Sequence, residues 1–275
     1  MSDKPSGSTH APYIQAGIAA PWLLIWLALA VTVLVLLGAG VGSTGFESVL
    51  NARQDPLAWQ IVMDIRLPRT VVALLAGGLL GLAGAVAQGV FRNPLADPYL
   101  LGSASGASLG VALAMGALGV SPFALTGLAR WGVTGAAFAG AVLAVVLTLV
   151  LAKGVQNTMR LLLAGVVVGV VLGAVASLVV LMNPDILQAM QSFMLGSTAF
   201  AGWPACRLML WVLLPTLVLS WSLSRVLDGL ALGEATAHSL GLPLAPLRLL
   251  LIVLLALATG TAVAQTGLIA FVGLA

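Results

Sequence analysis

Charge is what this sequence has least of. Eleven Lys and Arg and eight Asp and Glu make up 7% of 275 residues, where soluble domains carry about 25%. That shortage excludes a water-soluble fold, which would have almost nothing with which to cover its surface. Cysteine occurs once, as Cys206, so neither an intrachain disulfide nor a cysteine-ligated metal can form. The two histidines, His10 and His238, lie far apart in the sequence, which argues against a histidine metal site. No G-x-x-x-x-G-K-[ST] phosphate loop occurs, and any nucleotide-driven work needs a separate ATPase. The net charge of +3 is spread along the chain and forms no nucleic-acid patch.

Apolar residues are abundant: 61% of the chain, with a mean hydropathy of +1.15. They fall in runs between short polar loops. About 20 apolar residues as a helix cross a hydrocarbon core of about 30 Å, so the fold class is all-α, a polytopic membrane helix bundle. The stretch that sets the theme runs from Arg66-Leu-Pro-Arg69 through the uncharged 70–91 to a polar knot at Arg92–Pro98 and a glycine-rich return. After a polar tail over 1–20, the charge gaps place spans at 21–40, 70–91, 99–118, 131–152, 161–181, 205–222 and 247–264. The first is too long for the apolar core of a signal peptide. Residues 41–63 read as a loop outside the membrane. Residues 183–203, with Pro184, Asp185, Gln188 and Gln191, read as an interfacial or re-entrant helix. An eighth span is expected to begin at Gly267, and because the sequence stops inside that run a truncated chain is expected. Lys and Arg divide almost evenly between the two sides, so the positive-inside rule gives no orientation.

Small residues recur at every fourth position: Gly77, Gly81, Ala85 and Gly89; Gly102, Gly106 and Gly110; Ala136, Gly140 and Ala144; Gly165, Gly169, Gly173 and Ser177. In lipid, helices associate by close packing of such residues. A smooth wall for a moving substrate is the other use of the same pattern. Apart from arginines at their ends, the spans contain no Asp, Glu, Lys, Arg or His. Ion-coupled carriers place ionisable groups or unwound carbonyls at membrane depth, and an intramembrane enzyme needs a catalytic constellation. No catalytic residue, resident cofactor or metal site is therefore expected. One loop suits a partner: Asp228 to Pro246 holds two to three helical turns around Glu234–Leu240, preceded by Gly233. Gly241 is placed to take the left-handed position after the helix, and Pro243 prevents continuation. It reads either as a solvated loop or as a rigid docking helix.

Arg66-Leu-Pro-Arg69, Gln88–Pro98 and Leu100–Ala107 together resemble the FecCD family, the permeases of bacterial ABC importers for iron–siderophores, haem and cobalamin. Leu161–Gly165, Ala231–Leu244 and Gly267–Leu274 match further family motifs in order. The resemblance is most continuous with the cobalamin permeases, from about Trp59 to the end. It implies a ten-helix fold, of which about seven and a half helices are present here. It also implies a homodimer in the bacterial inner membrane, with cytoplasmic ATPase subunits and a periplasmic substrate-binding protein as partners. The tail over 1–20 would then be cytoplasmic, 21–275 the permease domain, and 228–246 a cytoplasmic coupling loop. The family motifs carry binding-protein docking to Arg66 and Arg69 at the periplasmic mouth, and the gate to Asn93, Leu95, Asn157 and Thr158. They carry ATPase coupling to Gly233, Glu234, Ala237, Leu240 and Gly241. Beyond Leu274 the family pattern continues with a Pro-His pair and two more helices. The rival reading is a channel or secondary carrier that works without an ATPase.

Overall fold

The computed structural model describes residues 16–42, 45–46, 55–118, 128–199, 201–231 and 243–274. The chain divides into two compact units, 1–67 and 68–275.

In the first unit, α1 (Ala16–Gly40) is apolar on every side. Trp22, Leu24, Trp26 and Leu34 are all more than 60% exposed, a surface suited only to lipid. A two-residue antiparallel pair follows, β1 (Val41–Gly42) with β2 (Gly45–Phe46). The loop expected over 41–63 ends early, because Asp55 caps a helix by accepting the Leu57 N–H at 2.9 Å. From there α2 (Pro56–Ile61) leads into a π-helical turn, Val62–Arg66, in which Leu67 N–H reaches the Val62 carbonyl. Pro68 comes next and has no N–H to give the Asp64 carbonyl; such a break is where a widened turn is expected. Helical residues run without interruption from Pro56 to Phe91, so the second helix starts well before Thr70.

The second unit is an α-helical bundle. Its helices are α3 (Leu67–Phe91), α4 (Ser103–Leu118), α5 (Leu128–Leu151) and α6 (Thr158–Met182). Then come α7 (Leu187–Leu195), α8 (Trp203–Ser222), α9 (Ser224–Ala231) and α10 (Leu244–Thr266). Six helices among the described residues are long and apolar enough to cross a membrane; α4, described over 16 residues, is shorter. α10 is the hub: 67% of its apolar stretch is buried, against 17% for α6. α7, after a 3-10 turn at Pro184–Ile186, has nine residues and rises about 13 Å. That is too short to span, in keeping with a re-entrant or interfacial element.

The glycine stripes serve two ends. A Cβ on Gly106 would fall on the Gly140 carbonyl and the Ala144 methyl, and one on Gly110 on the Ala136 carbonyl. α4 and α5 therefore touch backbone to backbone, the close packing that lipid-facing helices need. Gly165 meets the Leu100 carbonyl in the same way. Gly77 and Gly81 face open space. Gly169 and Gly173 stand back from their neighbours, and a Cβ on either would lie an ordinary 3.7 Å from the Ser105 hydroxyl. The four-residue spacing offered tight contact or a smooth wall, and tight contact holds at only some of these positions.

The helix expected from Gly267 is a correction. α10 ends there, with Gly267 at φ +73, and 267–271 is irregular before a 3-10 turn at Val272–Leu274. The segment is held by tertiary bonds instead. Ser197 N–H donates to the Thr266 carbonyl at 2.6 Å, and Leu268 N–H to the Phe193 carbonyl at 2.9 Å. Gly273 lies so close on α3 that Gly84 has no room for a side chain. Glycine at both contact points lets backbone lie on backbone, and that contact replaces the helix.

Candidate functional site

Two turns carry the expected gate residues, and both are built the same way. α3 ends with Arg92 in the left-handed region (φ 50), and Asn93 N–H reaches back five residues to the Gln88 carbonyl at 3.2 Å. α5 ends with Lys153 left-handed (φ 58), and Gly154 N–H reaches the Leu149 carbonyl at 3.0 Å. These are helix-terminating closures in which a cation occupies the position glycine usually holds. The positive side chains also suit the negative end of each helix dipole.

The first turn is then folded on itself by side chains. Asn93 Oδ1 accepts the Leu95 N–H at 2.9 Å, and Asp97 Oδ1 accepts the Tyr99 N–H at 2.7 Å. Such local bonds are what Asn and Asp bring to turns. Leu95 is left 76% exposed while Ala96 is fully buried, so Leu95 stands out from a rigid base. Tyr99 donates its hydroxyl to the Ile269 carbonyl at 3.2 Å. Gln88 Nε2 adds a bond to the Gly273 carbonyl at 3.3 Å, and Pro98 packs on Gly273. The irregular 267–274 segment is thus the support on which the first turn rests.

In the second turn Asn157 caps α6, its Oδ1 accepting the Arg160 N–H at 3.1 Å. Asn157 is exposed and Thr158 half-buried. Among the described residues no side-chain hydrogen bond joins Asn93 or Leu95 to Asn157 or Thr158. The two turns are linked behind them: Thr148 donates to the Leu101 carbonyl at 3.0 Å in a fully buried bond, and Gly165 seats Leu100.

Of the docking pair, Arg66 is half-buried at the end of the π-helical turn, and Arg69 is exposed in the first turn of α3. Gly233, Glu234, Ala237, Leu240 and Gly241 lie outside the described residues. The flanks of that segment are described, and they hold a residue that sequence reasoning passed over. Arg248, one of the arginines at the ends of the spans, is 2% exposed. Its Nη1 donates to the Gln156 carbonyl at 2.9 Å and to the Val155 carbonyl at 3.4 Å. Nothing in a single apolar run announces a pairing across 92 residues.

Between α4, α6 and α7 lies a cavity of about 460 Å³. Ser105, Ser108, Ser177 and Gln191 supply hydroxyls and an amide, Gly173 and Ala176 a smooth wall, and Met190 and Met194 an adaptable one. Its lining has no charge, so the arrangement can hold or pass a ligand by contact and hydrogen bonding and can do no acid–base chemistry.

Comparison with known proteins agrees with this architecture. Residues 27–275 match the model of the FecCD transport family. The hemin transport system permease protein HmuU of Yersinia pestis is 36% identical over 94% of this chain and 78% of its own. The ferric enterobactin transport system permease protein FepD of Escherichia coli is 37% identical over 95% and 77%. The vitamin B12 import system permease protein BtuC of Salmonella typhi is 37% identical over 92% and 75%. Among solved structures, an inward-facing metal-chelate type ABC transporter superposes with a TM-score of 0.81 at 29% identity, covering 92% of this chain and 79% of that one. A match over nearly the whole chain, on a bundle of membrane-length helices, makes this multi-pass membrane protein a member of the FecCD transport family.

Proposed function

We propose that the chain is the transmembrane permease subunit of an ATP-driven importer, and that it passes a metal chelate through the bacterial inner membrane by alternating access. The observation that carries this reading is the family match over residues 27–275. Relatives named for hemin, ferric enterobactin and vitamin B12 transport support the substrate class, a large chelate of one of these kinds. The lack of ionisable groups in the middle of these spans among the described residues supports an external motor, because ion-coupled carriers usually place such groups at membrane depth. ATP hydrolysis then belongs to separate cytoplasmic subunits, and the permease itself is no enzyme.

In this mechanism two copies form the pathway. A periplasmic binding protein docks through acidic side chains on Arg66 and Arg69, whose planar guanidinium groups pair bidentately with carboxylates. The substrate enters an uncharged cavity from which it can leave. Closure of the ATPase pair moves the coupling loop over 228–246, through Gly233, Glu234, Ala237, Leu240 and Gly241. The turns bearing Asn93, Leu95, Asn157 and Thr158 open toward the cytoplasm. Leu95, apolar and projecting from a braced turn, suits a plug that closes by contact.

Purification of the tagged permease from its own host membranes in mild detergent tests this reading. An ATPase subunit is expected to come with it, and ATP hydrolysis is expected to rise when the two are reconstituted together. A permease that comes out alone and transports in vesicles without ATP would establish the channel or carrier reading instead.

A further inference from the structure

Segment 232–242 is flanked by α9 and α10, and each flank is fastened to one of the two gate-bearing turns. On the near side, Leu227 of α9 lies across α3 at Gly89: a Cβ there would sit 2.7 Å from Leu227 Cδ2. Gly89 precedes the Asn93–Leu95 turn by one helical turn. Val226 and the fully buried Leu230 belong to the same core, so α9 is packed firmly. On the far side, Arg248 lies in the second turn of α10, four residues past its start at Leu244. Its guanidinium bonds the carbonyls of Val155 and Gln156, and Asn157 and Thr158 follow directly.

The two fastenings differ in strength. Leu227 on Gly89 is an apolar contact that can slide. Arg248 is a buried cation whose Nη1 donates to two successive carbonyls between α5 and α6. Moving it off them breaks two charge-assisted hydrogen bonds, the one to Val155 fully buried. Movement of α10 at this end must therefore carry the second turn with it.

We propose that Arg248 is a positioning residue that locks the Asn157–Thr158 turn to the coupling-loop side of α10, so that motion driven by the ATPase reaches that turn as a rigid-body displacement. This rests on the coupling and gate roles proposed above. Lysine is a poor replacement, because its side chain is one bond shorter and its ammonium falls short of the place Nη1 takes between the two carbonyls. Loss of the lock leaves ATP hydrolysis running while the second turn no longer follows it.

The test uses the full transporter, permease with its ATPase, in proteoliposomes, with hemin, ferric enterobactin and vitamin B12 offered as cargo. Arg248→Lys is expected to keep assembly and hydrolysis while transport per ATP falls about tenfold, within the range over which residues on a coupling route act. A cargo-independent readout is the rate of maleimide labelling at Gln156→Cys, an exposed position. ATP is expected to change this rate in the Arg248 background but not in Arg248→Lys. A merely structural role lowers thermal stability and moves neither readout. Should Arg248→Lys fail to assemble, insertion of one glycine between the exposed Gln156 and Asn157 loosens the same connection and is expected to uncouple transport likewise. An unchanged transport-to-ATP ratio with ATP-responsive labelling overturns the proposal. Glu234→Arg, run alongside, separates the two levels. If it abolishes ATPase stimulation while Arg248→Lys stays coupled, only the Arg248 role falls. If hydrolysis and transport survive Glu234→Arg, the coupling-loop reading falls and takes this inference with it.

Discussion

Single residues here act through what membrane burial forbids. A carbonyl left between two helices has no water to turn to, and so Thr148 serves Leu101, Tyr99 serves Ile269 and Arg248 serves Val155 and Gln156. The expected gate residues are exposed or half-buried and are held by their own local bonds: Asn93 to Leu95 and Asn157 to Arg160. Arg66 and Arg69, in the proposed docking role, serve by charge. The double change Arg66→Glu and Arg69→Glu should weaken binding-protein docking by at least about tenfold at low ionic strength, less so as salt screens it. Surface plasmon resonance on the full-length permease measures this; equal affinity at low salt removes the docking role. Asn93 and Asn157 were named by the resemblance to the family, and at Asn93 the following proline also marks a turn locally. Arg248 could not be found from sequence, because its partners are set by how helices cross.

At the scale of elements, the small-residue stripe resolves into contacts and walls. α4 and α5 meet through Gly106, Gly110, Gly140 and Ala136 with no space for a methyl group. Gly106→Ala should therefore cost roughly 1–3 kcal/mol of stability, the usual penalty of overpacking. Gly81→Ala, facing open space, should be neutral or gain up to about 1 kcal/mol from helix propensity. Thermal unfolding of the two variants in the same detergent distinguishes them, and equal losses would contradict the contacts described. Helix periodicity alone placed every one of these glycines on a stripe; it could not say which stripe faces a neighbour. The same limit explains 267–274, where an apolar, glycine-containing run reads as a helix until Gly84 and Gly273 are seen to bring two backbones together.

At the scale of the molecule, the proposed importer draws its energy from a separate ATPase. The charged groups on the membrane-length helices lie outside their middles: Asp64, Arg66 and Arg69 in the first half of the run from Pro56 to Phe91, Arg130 in α5, Arg160 in α6, Arg207 in α8 and Arg248 in α10. Among the described residues, nothing at mid-depth can bind and release a proton. Collapsing the proton gradient with an ionophore should thus leave uptake by reconstituted transporter unchanged, while omission of ATP should abolish it. The opposite pattern, uptake that follows the gradient without nucleotide, would refute an external motor.

The all-α class, the apolar runs and the placement of two polar turns were settled by the chain's own chemistry. Scarce charge leaves the bilayer as the only solvent for these helices, and proline, asparagine and glycine mark the turns locally. Which helix sits at the centre, which glycines touch, and that Arg248 reaches the second turn were decided only by tertiary packing. Those facts depend on residues up to 185 positions apart, as in the bond from Gln88 to Gly273, and no local pattern encodes a distance of that kind.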